Sequence, residues 1–162
     1  MSKQILSIWV ENRTGVMGKV AGLFSDMEIN IDSIAVGDTE SEGISRITIT
    51  LNGDDDMANR IISELHKIVN IVKIKKLSEK DAVIRELAFI MVEASEDKRS
   101  NIVTLVEIFR AAIVDIGANT ITIAICDEAV KIQALKDLLH SYGIREIVQS
   151  GVVAIDRDIK RA

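Results

Sequence analysis

The chain has 162 residues, a net charge of −5, 48% hydrophobic residues and one cysteine. This length holds one ordinary domain or two small ones, and the apolar content is ample for a buried core, which excludes a disordered chain. Neither half is basic, against a nucleic-acid binder; no apolar run approaches the ~18 residues of a spanning helix; and a lone thiol closes no internal disulfide.

Met1-Ser2-Lys3-Gln4 leads into a strand pattern without the apolar segment of a signal peptide, so the expected location is the cytoplasm. Ile5 to Val10 reads as a mostly apolar strand. Val16, Val20, Leu23, Phe24 and Met27 then repeat at helical spacing, predicting a helix to about Ser25. Ile29 to Val36 reads as a second strand and Gly37 to Gly43 as a loop. Ile47, Ile49 and Leu51 alternate with Arg46, Thr48 and Thr50 in the pattern of a half-buried strand. After a turn at Asn52-Gly53-Asp54, Met57, Ile61, Leu65 and Ile68 form one helical stripe, and Ile71 to Ile74 is a closing strand.

Residues 1–77 thus form a βαββαβ module, and Ser78-Glu79-Lys80-Asp81 reads as a polar linker (78–81). The plan repeats over 82–162. Strands are predicted at Leu87 to Val92, Ile113 to Ile116 and Thr120 to Ile125, with a helix at Asn101 to Arg110. A second helix spans Glu128 to Ser141, with Ala129, Ile132, Leu135 and Leu139 aligned, and Ile144 to Ile147 and Val152 to Ile155 close the module. The fold class is α+β. Such small modules bury only roughly 60% of their unfolded surface, and their sheets expose edge strands, so a homodimer is expected.

Glu11-Asn12-Arg13-Thr14-Gly15-Val16 is the most informative segment, a polar turn between the first strand and the first helix. A helix start presents unpaired N–H groups to an anion, and glycine lets the backbone approach a ligand. Asn12, and Asn30 just beyond the helix, can add side-chain donors and acceptors beside the same spot. The stretch holds no His, Cys or paired acid to serve as base or nucleophile, so it reads as a binding site without catalytic residues.

Other motifs fall short of a chemistry. His66 and His140 have helical flanks and read as surface residues. Asp54-Asp55-Asp56 lacks the EF-hand pattern, since Asn59 and Leu65 occupy the glycine and glutamate positions; these acids instead favour the following helix start. No metal site is expected. Gly15, Gly18 and Gly22 do not spell a dinucleotide fingerprint; Gly18 and Gly22 read as points where the helix nears the sheet or a partner. Trp9, Phe24, Phe89, Phe109 and Tyr142 read as core residues.

Together, Glu11-Asn12-x-x-Gly15-Val16, Val20-x-Gly22-Leu23-Phe24-Ser25, Asn30-Ile31-x-Ser33 and Ser45-Arg46-x-Thr48-Ile49 resemble the small, regulatory subunit of acetolactate synthase (acetohydroxyacid synthase). Arg85-Glu86-Leu87, Ile108-Phe109-Arg110-Ala111, Ile113-Val114-Asp115 and Ser150-Gly151-Val152-Val153-Ala154 extend the resemblance over nearly the whole chain. It implies two ferredoxin-like domains, an N-terminal ACT domain and a C-terminal domain, in a homodimer that joins a separate catalytic subunit. That subunit is expected to carry thiamine diphosphate, Mg and FAD, and this chain no cofactor. The implied role is to activate the catalytic subunit and confer feedback inhibition by valine, or another branched-chain amino acid, on branched-chain amino acid biosynthesis.

By the same resemblance, Asn12, Thr14, Gly15, Val16 and Met17 of one chain and Asn30 and Ile31 of its neighbour line the effector pocket. Two departures stand out. Met27-Glu28 occurs where the family usually carries a basic residue and glycine, which bears on the turn there, and Ile155-Asp156-Arg157-Asp158 replaces a small residue and Arg-Gly. The alternatives are a stand-alone ACT-type amino-acid sensor with a different partner, such as a transcriptional regulator, or a small enzyme on a ferredoxin-like fold. The first lacks a basic recognition helix, and the second lacks a catalytic constellation beyond Asn12 and Arg13.

Overall fold

The computed structural model describes residues 2–158. Its contacts divide the chain into two compact units: residues up to Ile84 together with those from Gly151 on, and Arg85–Ser150. The boundary therefore differs from the expected linker. Ser78 to Asp81 is a turn inside the first unit, closed by Asp81 N–H donating to Ser78 O at 3.1 Å, and the division falls within a strand after Ile84.

In the first unit β1 (Ser2–Glu11), α1 (Val16–Asp26), β2 (Ser33–Asp38), β3 (Ile44–Gly53), α2 (Asp55–Leu65) and β4 (Ile71–Leu77) build a sheet of order β2-β3-β1-β4. All its pairings are antiparallel. Leu6, Ile8 and Val10 of β1 and Ile47, Ile49 and Leu51 of β3 share a core with Val16, Val20 and Phe24 of α1 and Ile61 and Leu65 of α2. This is the helix stripe and strand alternation of the sequence brought face to face. Asp54 caps α2, its carboxylate accepting from Met57 N–H at 2.7 Å, and Asp55 in the first turn pairs with Lys76 at 2.5 Å. The Lys76 hydrogen bond is the main cause that holds the Asp55 carboxyl below its ordinary pKa.

The second unit repeats the order with β5 (Ala82–Glu93), α3 (Glu96–Ile108), β6 (Ala112–Ile116), β7 (Thr120–Asp127), α4 (Ala129–Leu139), a 3₁₀ turn at His140–Tyr142 and β8 (Ile144–Gln149). Its strands run β6-β7-β5-β8, around a core that includes Ile90, Ile102, Ile123, Ile132, Leu135 and Leu139. The helix expected at Asn101 starts five residues earlier, at Glu96 behind Ser95. Its first turn is polar, so no apolar stripe announces it.

Three other expectations change. Ile29 to Ile31 precede β2, which begins at Ser33, and α2 ends at Leu65, although Ile68 still packs on the core. β3 is not half-buried: Thr48 is 4% and Thr50 0% exposed. The cause is the chain's final segment. β9 (Val153–Asp156) pairs with β5, and Val152 and Ala154 bury against Ile5, Leu77 and Ala82. Gly151 crosses so close to β2 that a Cβ there would lie 2.4 Å from Ile34 O. Val152 N–H donates to Ser33 Oγ at 3.2 Å, the Arg46 guanidinium donates to Ala154 O at 2.7 Å, and Lys75 pairs with Asp156. Burial lowers the Arg46 pKa, opposed by the charges of Asp156 and Glu40.

The aromatic residues divide. Phe24 is in the core and Phe109 and Tyr142 pack against one. Phe89 is instead 40% exposed, because its position in β5 alternates with the helix-facing Ala88 and Ile90. Trp9 carries the cations of Arg46 and Lys73 at 4.5 and 4.9 Å from its ring centre. A Cβ at Gly18 or Gly22 would meet nothing within 4 Å, so neither glycine brings α1 close to the sheet.

Glu28 lies just past the C-cap of α1 at φ 56°, with Ile29 N–H donating to Phe24 O at 2.9 Å and Glu28 N–H to Ser25 O at 3.0 Å. The departure Met27-Glu28 therefore keeps a glycine-type helix stop without the glycine. Glu28→Gly is expected to raise stability by about 1 kcal/mol, by relieving a left-handed side-chain-bearing residue. Urea unfolding of the two proteins measures it.

Candidate functional site

The turn between β1 and α1 is built around Gly15, at φ 88° and ψ −11°. These are the angles of the third residue of a type II turn, and Val16 N–H closes the turn onto Arg13 O at 3.3 Å. The next helical bond runs from Lys19 N–H to Gly15 O at 3.1 Å. Among the described residues, the N–H groups of Thr14, Gly15, Met17 and Gly18 have no acceptor. A Cβ placed on Gly15 would meet nothing within 4 Å. Asn12, Thr14, Gly15 and Met17 are exposed, while Val16 is buried and anchors the turn to the core. Open donors at the positive end of an eleven-residue helix, with room in front of them, suit a small carboxylate.

Asn30 and Ile31 lie elsewhere. They follow the C-terminal end of α1, and a helix of 11 residues is roughly 16 Å long. Within one chain, then, Asn30 does not stand beside Asn12 as the sequence suggested. Asn30 is exposed, and Ile31 is half-buried against the core below β2. β2 is an edge strand with Ile34 and Val36 exposed at 38% and 51%.

Two residues that sequence reasoning passed over hold the turn in place. Asn12 N–H donates to Gly43 O at 2.8 Å, and Glu11 N–H donates to Asn70 O at 2.9 Å. The Asn70 amide also donates to Glu11 Oε2 at 2.9 Å, and Arg13 pairs with Glu11 at 3.2 Å. Both partners come from turns remote in sequence, so no local motif marks them.

His66 and His140 are exposed, and no group of three or more metal-binding side chains occurs among the described residues. A concavity of about 220 Å³ lined by Arg46, Thr48 and Ala154 contains none of the turn residues. No helix among the described residues is long and apolar enough to cross a membrane.

Known proteins share both halves of this architecture. Residues 6–73 match the family model described as the small-subunit-like ACT domain of acetohydroxyacid synthase, and residues 85–158 match that of the small subunit of acetolactate synthase. The chain is 40% identical over 159 residues to the probable acetolactate synthase small subunit of Archaeoglobus fulgidus, covering 98% of this chain and 99% of that one. It is 38% identical to the acetolactate synthase small subunit of Bacillus subtilis, covering 96% and 91%. The crystal structure of the small subunit from Thermotoga maritima superimposes with a TM-score of 0.91 at 38% identity, over 97% of this chain and 98% of that one. The two α+β sheets, their strand order and this similarity over nearly the full length establish that the chain belongs to the acetolactate synthase small-subunit family, with an ACT domain at its N-terminal end.

Proposed function

We propose that this chain is the regulatory subunit of an acetolactate synthase, activating a separate catalytic subunit and making it sensitive to valine. The observation that carries the effector site is the turn at Gly15, whose unpaired N–H groups open onto free space. In this reading the ligand carboxylate docks on the N–H groups of Gly15 and Met17, with Asn12 and Thr14 beside it. The ammonium group meets oxygens at Asn30 of a second copy, and the aliphatic tail fills an apolar notch bordered by Val16 and the second copy's Ile31. Within one chain Asn30 lies past the end of α1 opposite to Gly15, which is the reason the pocket needs two chains. The exposed edge of β2 supports such a homodimer, since its unpaired backbone groups and its apolar Ile34 and Val36 suit a second strand.

The chemistry of condensation belongs, in this proposal, to the catalytic subunit with thiamine diphosphate, Mg and FAD. This chain holds no cofactor. Valine moves the equilibrium between two arrangements of the assembly only by its differential affinity for them. A typical coupling is about 1 to 3 kcal/mol, or roughly five- to 150-fold in affinity.

The test is acetolactate formation by the catalytic subunit of the same organism, titrated with this chain with and without valine. Activation that valine suppresses is the expected result. Neither activation nor a valine effect would leave an amino-acid sensor with another partner.

A further inference from the structure

The two units use one backbone frame around two different turns, and the side chain of Asn70 occurs in only one of them. In the first unit the last residue of β1, Glu11, donates its N–H to Asn70 O at 2.9 Å, and Asn12 donates to Gly43 O at 2.8 Å. In the second, the last residue of β5, Glu93, donates to Gly143 O at 2.8 Å, and Ala94 donates to Asn119 O at 2.9 Å. A bulge precedes each pair: β1 and β4 shift register between Trp9 and Val10, β5 and β8 between Met91 and Val92. The bulge bends the edge strand so that the turn before it reaches the end of the central strand.

What hangs on that frame differs. Four residues, Asn12 to Gly15, connect β1 to α1, whereas Ala94 and Ser95 alone connect β5 to α3. The position of Asn12 is taken by Ala94, and that of Asn70 by Gly143, which has no side chain and sits at φ 94°. Glu93 pairs instead with Arg145, at 3.3 Å. The side chain of Asn70 therefore accompanies the longer, glycine-bearing turn and is absent where the turn is short.

Its geometry says what it does. The carboxamide donates through Nδ2 to Glu11 Oε2 at 2.9 Å and accepts through Oδ1 from Lys19 Nζ at 3.1 Å. Only one orientation of the amide meets both partners, because a carboxylate cannot donate and an ammonium cannot accept. Glu11 closes the strand before the turn, and Lys19 stands on the first turns of α1 after it. One side chain thus ties together both flanks of Asn12 to Gly15. Glu11 in turn holds Arg13 at 3.2 Å, inside the turn.

We propose that Asn70 is a positioning residue for the effector site, fixing the Gly15 turn in its ligand-ready form through Glu11 and Lys19 without touching the ligand. This rests on the reading of that turn as the amino-acid site. Pre-organised donors avoid an ordering cost on binding, so loosening the clamp weakens affinity for the ligand.

The experiment is isothermal titration of the full chain with L-valine in the wild type, Asn70→Asp and the double variant Glu11→Gln/Asn70→Asp. Asn70→Asp sets two carboxylates against each other and is expected to weaken binding about tenfold, the loss of a charge-assisted hydrogen bond. The double variant lets the amide of residue 11 donate to the carboxylate of residue 70, and binding is expected to return to within about threefold of the wild type. A residue needed only for folding would lower the fraction of protein that binds, read as the titration stoichiometry, and leave the affinity of the folded fraction unchanged. Asn70→Ser removes both carboxamide bonds without adding charge and keeps the test usable if Asn70→Asp fails to fold. Unchanged affinity in Asn70→Asp or Asn70→Ser, or loss without rescue in the double variant, overturns the positioning role alone. No valine binding by the wild type overturns the reading of the site and the proposal with it.

Discussion

Gly15→Asp is expected to abolish valine inhibition while leaving activation of the catalytic subunit in place. The substitution is sterically open inside the chain, because a Cβ at Gly15 meets nothing within 4 Å. Its backbone cost comes from φ 88°, a region that asparagine and aspartate tolerate better than other side chains, so about 1 to 2 kcal/mol of stability is lost. The decisive effect is electrostatic. The new carboxylate lies at the helix start and competes with the effector carboxylate for the N–H groups of the turn. Inhibition curves over a valine series, run beside activation by the same variant, separate the two effects. Retention of full valine sensitivity in a folded Gly15→Asp protein would remove the pocket assignment.

Gly151→Ala is expected to give the largest loss of stability of any single methyl addition considered. The added Cβ would lie 2.4 Å from Ile34 O, 2.6 Å from Ile34 C and 3.1 Å from Ala35 N. All three are backbone atoms of a paired strand, which cannot rotate aside, so the segment from Gly151 must lift from β2. Lifting strains the Val152 bond to Ser33 and the Arg46 bond to Ala154 O, and exposes Val152, now 1% accessible. Overpacking of this kind costs about 1 to 3 kcal/mol. Gly22→Ala is the control. It adds the same methyl within α1, where nothing lies within 4 Å, and is expected to stabilise by about 0.5 to 1 kcal/mol. Urea denaturation gives the stabilities, and hydrogen exchange over residues 151–156 should rise in Gly151→Ala alone. Equal stabilities in the two variants would mean that the final segment contributes nothing to the first unit.

Periodicity was enough for the secondary structure where a single face is buried. α1, α2 and α4 each bury the stripe their sequences display, because 3.6-residue spacing leaves only one way to hide those side chains. It was insufficient where polarity and burial part company. The first turn of α3, Glu96-Asp97-Lys98, carries no apolar signal, although its two acids lie at the helix start, where the dipole favours them. Thr48 and Thr50 look solvent-facing by alternation, yet are buried: the Thr50 hydroxyl lies 2.7 Å from Ser33 Oγ, which also accepts from Val152 N–H, and Thr48 lies beside Val153 and Ala154.

By itself the sequence determined the α+β class, the repeated βαββαβ plan and the glycine-bearing turn at the start of α1, since each is written in spacing or residue type over a short stretch. The tertiary structure alone decided three things: that the last strand joins the first unit, that Gly151 rather than Gly18 or Gly22 makes a close backbone approach, and that Asn70 and Gly43 hydrogen-bond the strand end at the turn. The physical reason is common to all three. Each depends on which distant segments come within a few ångströms of each other, and a local pattern of polar and apolar residues constrains the face a side chain takes but not the partner it meets there.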